Sequence, residues 1–304
     1  MLSSIVIFIV SLTVLIYSSD RFIGASENIG LGFGVAPFVI GVTVVAFGTS
    51  LPELMTSIIS VYHGSSEIVV GNVVGSNITN ILLVVGISGV VSGDMIIKRD
   101  LIGQDIPMLM ASAIILWFSL QDLSFSTIEA ILFCAALIIF LWNSMKSGTA
   151  EPSDSAAKAT WSEYLIVVLG AVGIFFGASY TVSSISDMST LMGVDPEIVS
   201  LSALALGTSL PEVVVSVAAC KRGLAGMALG NVIGSNVFNS YAVMAIPSFF
   251  GNLVIPASIL EFSLPFMLAV SFLLMLLCIS KKISFLQGGL LLIFYAYFLT
   301  ELFT

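Results

Sequence analysis

Two glutamates with identical neighbours are the residues best suited to do chemistry in this chain. Glu53 ends the segment Gly-Thr-Ser-Leu-Pro-Glu at 48–53, and Glu212 ends the same six residues at 207–212. Both lie within long apolar segments, where a carboxylate is costly and indicates function. A single glutamate of this kind could be protonated and bonded to a neighbouring helix. Two copies in one setting instead predict a paired carboxylate site.

Each glutamate directly follows a proline that disturbs its helix. Proline removes a backbone hydrogen bond and displaces the carbonyl four residues earlier. Pro52 and Pro211 therefore free carbonyl groups around 46–48 and 205–207. Freed carbonyls at membrane depth are tolerated where they line a cavity or bind an ion. The alternative is a simple kink, which the neighbouring glutamate and hydroxyl groups argue against.

Hydroxyl and amide side chains accompany the carboxylates at helical spacing. Thr49 lies four residues before Glu53, and Ser76 lies four residues before Asn80, so each pair occupies one helix face. The second half repeats this spacing at Thr208 and Glu212 and at Ser235 and Asn239. Oxygen ligands suit hard cations such as Ca²⁺, which takes roughly 6–8 of them. Nothing in the set favours zinc or copper.

The elements that position these residues must cross a membrane. Of the 304 residues, 58% are hydrophobic and 9% are charged, and the mean hydropathy is +1.14. Soluble domains carry about 25% charged residues. The apolar runs are continuous, whereas a β-barrel would show alternation. The composition therefore predicts an all-α integral membrane protein with no separate soluble domain.

We predict ten transmembrane helices, with limits at 2–19, 36–61, 69–92, 103–120, 125–145, 162–186, 197–220, 226–250, 260–280 and 283–303. All nine basic residues then fall in loops that follow odd-numbered spans. They are Arg21, Lys98, Arg99, Lys146, Lys158, Lys221, Arg222, Lys281 and Lys282. Basic residues concentrate in cytoplasmic loops. The pattern predicts a cell-membrane protein with cytoplasmic odd loops and both termini outside.

The two halves of the chain are copies of one another. Gly-Asn-Val-Val-Gly-Ser-Asn at 71–77 returns as Gly-Asn-Val-Ile-Gly-Ser-Asn at 230–236, and both motifs recur at the same offset of 159 residues (230 − 71). Each copy has five predicted spans, an odd number, so the second must enter the membrane upside down. We predict two inverted five-helix repeats, 1–145 and 162–304, joined by a polar cytoplasmic linker at 146–161.

At these motifs the chain resembles the cation/Ca²⁺ exchanger superfamily, specifically its Na⁺/Ca²⁺ exchanger branch. The resemblance covers all ten spans, and the two repeated motifs are specific in combination. It implies that spans 2, 3, 7 and 8 form an ion-binding core, and that spans 1 and 6 slide against this core during alternating access. The large regulatory loop of animal members is missing, so the resemblance is to a prokaryotic-type exchanger.

The resemblance also implies a set of twelve ion ligands. They are Ala46 (carbonyl), Thr49, Ser50, Glu53, Ser76 and Asn80 in the first repeat, and Ala205 (carbonyl), Thr208, Ser209, Glu212, Ser235 and Asn239 in the second. Some relatives, including K⁺-dependent exchangers, have aspartate where this chain has Asn239. The asparagine leaves two central carboxylates and argues against K⁺ cotransport.

We therefore expect a secondary antiporter that exchanges Na⁺ for Ca²⁺, electrogenically and without a cofactor, as a monomer in membrane lipid. A H⁺-coupled cation antiporter is one alternative, because glutamates can carry protons. A passive cation channel is another, although an inverted repeat suits a carrier. The sequence offers no metal-ligand cluster or nucleophile–base pair, which argues against an intramembrane enzyme. No nucleic-acid partner is expected.

Overall fold

A computed structural model describes residues 2–97, 101, 103, 105–146, 160–191 and 207–302. The helices in these ranges are α1 (Leu2–Gly32), α2 (Pro37–Ile40), α3 (Ala46–Thr49), α4 (Leu51–Tyr62), α5 (Glu67–Thr79), α6 (Val85–Ser92), α7 (Asp105–Ser119), α8 (Thr127–Lys146), α9 (Trp161–Leu191), α10 (Leu210–Lys221), α11 (Ala225–Phe238), α12 (Met244–Ser248), α13 (Leu264–Ile279) and α14 (Phe285–Leu302). Turns of π-helix occupy Gly41–Val45, Asn80–Val84, Asn239–Val243 and Ile259–Ser263. Two strands, β1 (Asp94–Ile96) and β2 (Lys282–Ser284), complete the regular structure of the described ranges.

Long apolar helices dominate the described part of the chain. Seven of them are long and apolar enough to cross a membrane: Ser3–Gly32, Pro37–Tyr62, Glu67–Ser92, Thr127–Lys146, Trp161–Ile185, Ile259–Ile279 and Phe285–Leu302. Asp105–Ser119 is apolar but shorter. The predicted spans 197–220 and 226–250 contain α10 and α11, and 197–206 lies outside the described residues. The chain is a helical membrane protein, as its composition predicted.

The first helix is longer than predicted. The span 2–19 was expected to end before Asp20 and Arg21, but α1 continues to Gly32. Both charges have partners that let the helix proceed. Asp20 Oδ1 lies 2.8 Å from Arg222 Nε, and the Arg21 guanidinium lies 5.1 Å from the centre of the Tyr17 ring. The predicted end at residue 19 is therefore wrong, because these partners let the helix continue through both charged residues.

Helices α1 and α9 pack along much of their length, and the glycines of α9 make this possible. A Cβ at Gly177 would lie 2.8 Å from the backbone nitrogen of Leu15, and a Cβ at Gly170 would lie 2.9 Å from Cβ of Phe22. Small residues let membrane helices approach until their backbones are in contact. The two helices therefore form a closely fitted pair.

Helix α11 lies at the centre of the bundle. Every residue from Met227 to Phe238 is buried. A Cβ at Gly41 would overlap the carbonyl oxygen of Met227, and one at Gly230 would overlap that of Phe38. The backbones of α2, the Gly41–Val45 turn and α11 therefore touch, which brings polar groups of both halves within hydrogen-bonding distance.

The strands β1 and β2 were not predicted. They pair antiparallel, with Met95 opposite Ile283, and Lys282 Nζ lies 2.8 Å from Asp94 Oδ2. Each strand has three residues, which is too short for alternation to be recognised in sequence. The pairing joins two interhelical loops on the same side of the bundle.

Candidate ion-binding site

A helix begins inside each Gly-Thr-Ser-Leu-Pro-Glu motif and carries the glutamate in its first turn. In the first, α3 ends at Thr49, Ser50 has φ −88° and ψ 5°, and α4 begins at Leu51 with Glu53 in its first turn. Ser209 has nearly the same backbone angles, φ −85° and ψ 0°, before α10. A helix N-terminus carries a partial positive charge that favours a nearby carboxylate. Each carboxylate thus lies at a helix N-terminus within the bundle, where its negative charge is stabilised.

Both glutamates are completely buried, with 0% of either side chain exposed. Glu212 Oε1 accepts a hydrogen bond of 3.1 Å from the hydroxyl of Ser50, in the other half of the chain. Glu212 Oε2 and both carboxylate oxygens of Glu53 have no hydrogen-bond partner among the described residues. Buried polar groups without a partner are unfavourable. Three carboxylate oxygens are therefore available to bind a cation.

Hydroxyl groups from the two halves meet between the glutamate-bearing helices. Thr49 donates to Asn231 Oδ1 at 3.1 Å and lies 3.5 Å from the Ser235 hydroxyl. Thr208 donates to Asn72 Oδ1 at 3.4 Å and lies 3.4 Å from the Ser76 hydroxyl. These hydrogen bonds hold α3 against α11, and the residues just before α10 against α5. The two halves therefore share one polar cluster.

Asn72 and Asn231 are buried in this cluster, although the spacing argument did not select them. Asn72 Nδ2 donates to the Ser57 hydroxyl and to the backbone carbonyl of Glu53, each at 3.0 Å. Asn231 Nδ2 donates to the Ser216 hydroxyl at 3.0 Å. Asn72 lies four residues before Ser76, as Ser76 does before Asn80, so extending the same helical face by one turn would have found it.

Three further predicted residues are buried around the cluster. Asn80 and Asn239 are 0% exposed, and each begins a turn of π-helix directly after α5 or α11. Such turns often mark functional sites. Both amide atoms of these two side chains, and the hydroxyl of Ser209, have no hydrogen-bond partner among the described residues. They extend the supply of uncommitted buried oxygens beyond the carboxylates.

Sequence and structure comparisons identify the family to which this arrangement belongs. A family model described as sodium/calcium exchanger protein matches residues 3–146 and 162–304. The chain belongs to the sodium/calcium exchanger family.

Similar family members include two archaeal proteins. A membrane protein of Methanocaldococcus jannaschii is 35% identical over 291 residues, covering 95% of this chain and 94% of that protein. The sodium/calcium exchanger MaX1 of Methanosarcina acetivorans is 30% identical, covering 98% and 97%. Structures of the sodium-calcium exchanger NCX_Mj align with a TM-score of 0.87 at 33% identity, over 98% of each chain. That exchanger was soaked with Na⁺, Ca²⁺ or Sr²⁺.

In the present chain, most of the twelve predicted ligand positions lie in or beside the polar cluster. Side-chain hydrogen bonds join Thr49, Ser50, Ser76, Thr208, Glu212 and Ser235. Glu53 is linked through its backbone carbonyl to Asn72. The Ala46 carbonyl accepts the backbone N–H of Ser50 at 3.0 Å and lies 3.4 Å from the Thr49 hydroxyl, which can also donate to it. Ala205 lies outside the described residues.

The donors of this exchanger do not resemble a transition-metal site. No group of three or more histidine, cysteine, aspartate or glutamate side chains that could hold a metal ion occurs in the described ranges. Hydroxyl and amide groups surround the two glutamate carboxylates instead. This chemistry fits hard cations, which the family exchanges as substrates.

Proposed function

We propose that this chain is a secondary antiporter that exchanges Na⁺ for Ca²⁺ through one site between its two halves. The main supporting observation is the pair of fully buried glutamates, three of whose four carboxylate oxygens have no hydrogen-bond partner among the described residues. The twelve predicted ligand positions are proposed to bind both ions. Family membership supports the choice of Na⁺ and Ca²⁺.

The charge of the site suggests why exchange would be obligatory. Two ionised glutamates in a water-poor cavity repel one another and lack hydration. One Ca²⁺ balances both charges, and so do two Na⁺. A core with balanced charge can be occluded, whereas an empty one is strongly disfavoured. Entry of a third Na⁺ would make the exchange electrogenic. Its one unbalanced positive charge would be coordinated by the hydroxyl and amide oxygens of the cluster.

The hydrogen bonds of the cluster support an inverted repeat. Thr49 binds Asn231 and, at the equivalent positions 159 residues away, Thr208 binds Asn72. Contacts that are exchanged reciprocally in this way are a property of two-fold symmetry. A two-fold axis in the membrane plane would turn one half upside down relative to the other. We propose on this basis that 1–145 and 162–304 are the two repeats; residues 147–159 of the linker lie outside the described ranges.

Contacts between the segments that connect the helices support ten spans. The strand β1, after span 3, pairs with β2, after span 9. Among the even-numbered loops, the Ser66 hydroxyl, after span 2, accepts a hydrogen bond from the backbone N–H of Val254, after span 8. Each contact joins two odd loops or two even loops. The proposed topology has odd loops in the cytoplasm and both termini outside.

Alternating access is proposed to occur by movement of α1 and α9 together past the remaining helices. Their close fit through Gly170 and Gly177 supports movement as one body. The polar cluster lies outside this pair, on α3, α5, α10 and α11. Sliding of the pair would then expose the same cluster to either side of the membrane without dismantling it.

Substitution of the glutamates tests the site in proteoliposomes. Glu53→Gln and Glu212→Gln each remove one charge with little change in volume, so one Ca²⁺ no longer balances the site. We expect both variants to lose Na⁺-dependent Ca²⁺ flux. Glu67→Gln, at an exposed position on α5, is the matched control and should retain it. Full exchange by either buried variant would refute the site.

A further inference from the structure

Two asparagines that are not among the expected ligands form hydrogen bonds with hydroxyl groups of the site. Asn72 and Asn231 occupy the second position of the Gly-Asn-Val-x-Gly-Ser-Asn motif in each half, and they are 4% and 0% exposed. Neither belongs to the proposed ligand set. Their hydrogen bonds nevertheless reach hydroxyl ligands of both repeats.

The orientation of each amide is set by a second hydroxyl behind it. Asn231 Nδ2 donates to Ser216 at 3.0 Å, and Asn72 Nδ2 donates to Ser57 at 3.0 Å. The amide nitrogen is therefore held away from the cluster in each case. The amide oxygen, which only accepts hydrogen bonds, is turned towards the threonine of the opposite half.

Both amide oxygens accept hydrogen bonds from hydroxyl groups of the site. The Thr49 hydroxyl has two acceptors within reach, Asn231 Oδ1 at 3.1 Å and the Ala46 carbonyl at 3.4 Å, and the contact with Asn231 is the shorter. Asn72 Oδ1 accepts from both Thr208 and Ser76, each at 3.4 Å. A hydroxyl has one proton and two lone pairs. Once the proton is committed to an asparagine, the lone pairs are the part of the hydroxyl left to meet an ion.

We propose that Asn72 and Asn231 are positioning residues that convert the site's hydroxyl groups from mixed donors and acceptors into cation ligands. Without the Asn231 oxygen, the Thr49 proton would turn to the Ala46 carbonyl at 3.4 Å, itself a predicted ligand, or towards a carboxylate, and in either case it would occupy an oxygen that a cation needs. This inference rests on the proposed function, because it assumes that the cluster binds Na⁺ and Ca²⁺. Ser216 and Ser57 lie behind the two asparagines and hold their amide groups in this orientation.

A double-mutant cycle tests this role with Ca²⁺ as the only probe. Equilibrium binding of radioactive Ca²⁺ is measured on the purified full chain in Na⁺-free detergent solution. Loss of a residue that orients a metal ligand reduces affinity by 10-fold or more, so Asn231→Ala should raise the half-saturating Ca²⁺ concentration by about tenfold. In a Thr49→Val background the same change should have an effect below about twofold, because the hydroxyl that Asn231 orients is gone.

Asn236→Ala is the matched control. Asn236 is buried in the same helix, and its side chain donates to the backbone carbonyl of Asn77 at 3.2 Å, but no hydrogen bond joins that side chain to a predicted ligand in the described ranges. Its loss should lower thermal stability and leave the half-saturating Ca²⁺ concentration unchanged. A merely structural role for Asn231 would make the two variants behave alike.

The outcomes separate this inference from the proposed function. If the wild type binds Ca²⁺, the inference is overturned should Asn231→Ala bind it with unchanged affinity, or lose affinity equally with and without the Thr49 hydroxyl. If the wild type itself binds no Ca²⁺, the proposed function fails first. Should Asn231→Ala not fold, Ser216→Ala releases the amide without removing it. This variant should still weaken Ca²⁺ binding, and unchanged binding would again overturn the inference.

Discussion

At the scale of single residues, the proposed site combines two carboxylates, whose charge a cation would neutralise, with neutral oxygens that can coordinate that cation. Glu53 and Glu212 are buried together with the amides of Asn80 and Asn239, and most of these polar atoms have no hydrogen-bond partner among the described residues. Two carboxylates match the charge of one Ca²⁺. In the proposed mechanism, the number of carboxylates therefore sets how much positive charge is needed to balance the site.

Changing that number is expected to change the ions required. Asn239→Asp adds a third carboxylate at a fully buried position, so Ca²⁺ alone would leave one charge unbalanced. We expect Ca²⁺ flux by this variant to become dependent on an additional monovalent cation, seen as stimulation by K⁺ or by acid. Asn252→Asp, at an exposed loop position, should leave flux unchanged. Flux by Asn239→Asp that is indifferent to K⁺ and to acid would contradict the charge argument.

The sequence was informative about the site residues because they recur. The repeated motifs selected both glutamates and their hydroxyl companions, and hydrogen bonds join six of the predicted side chains. The roles of Asn72 and Asn231 were missed because a hydrogen-bond partner in the opposite half cannot be read from local spacing. The partner depends on how closely α11 approaches the first half, which the glycines allow.

At the scale of helices, the ion pair between Asp20 and Arg222 joins α1 to the end of α10. Arg222 donates to the Asp20 carboxylate at 2.8 Å and to its backbone carbonyl at 3.0 Å. The hydrogen bond to Asp20 and the charge of Asp20 raise the pKa of Arg222, so the guanidinium stays charged over the physiological pH range. If α1 slides past the remaining helices, this contact must break in one of the two access states.

Removing the pair should therefore shift the balance between access states. Asp20→Asn is expected to change the ratio of half-saturating Na⁺ concentrations on the two membrane sides by at most about fivefold, because an exposed ion pair contributes at most ~1 kcal/mol. Asp94→Asn is the matched control, since Asp94 pairs with Lys282 at the same 2.8 Å between loops that do not involve α1 or α9. Equal shifts in the two variants would contradict sliding of α1.

Helix limits were predicted well where hydropathy alone decides them and poorly where side chains find partners. The predicted span 125–145 corresponds to Thr127–Lys146. The end of α1 was misplaced because Asp20 and Arg21 find partners there. The β1–β2 pair could not be predicted because a three-residue strand gains its stability from a distant loop.

At the scale of the whole molecule, the proposed inverted repeat requires both termini on one side of the membrane. Ser3 and Leu302 lie near the two ends at exposed positions, and Lys146 is exposed at the end of α8. In a chain without its three native cysteines, Ser3→Cys and Leu302→Cys should react with an impermeant thiol reagent from outside, and Lys146→Cys from inside. Labelling of Ser3→Cys and Leu302→Cys from opposite sides would contradict the ten-span topology.

The most direct test of the account is Ca²⁺ flux by the wild-type protein in proteoliposomes under separate Na⁺, K⁺ and H⁺ gradients. A shared two-carboxylate site in a sodium/calcium exchanger predicts that vesicles loaded with Na⁺ accumulate Ca²⁺ when diluted into Na⁺-free medium, and that K⁺ or H⁺ gradients alone drive none. Accumulation driven by a pH gradient without Na⁺, or single-channel currents in place of coupled flux, would contradict the account.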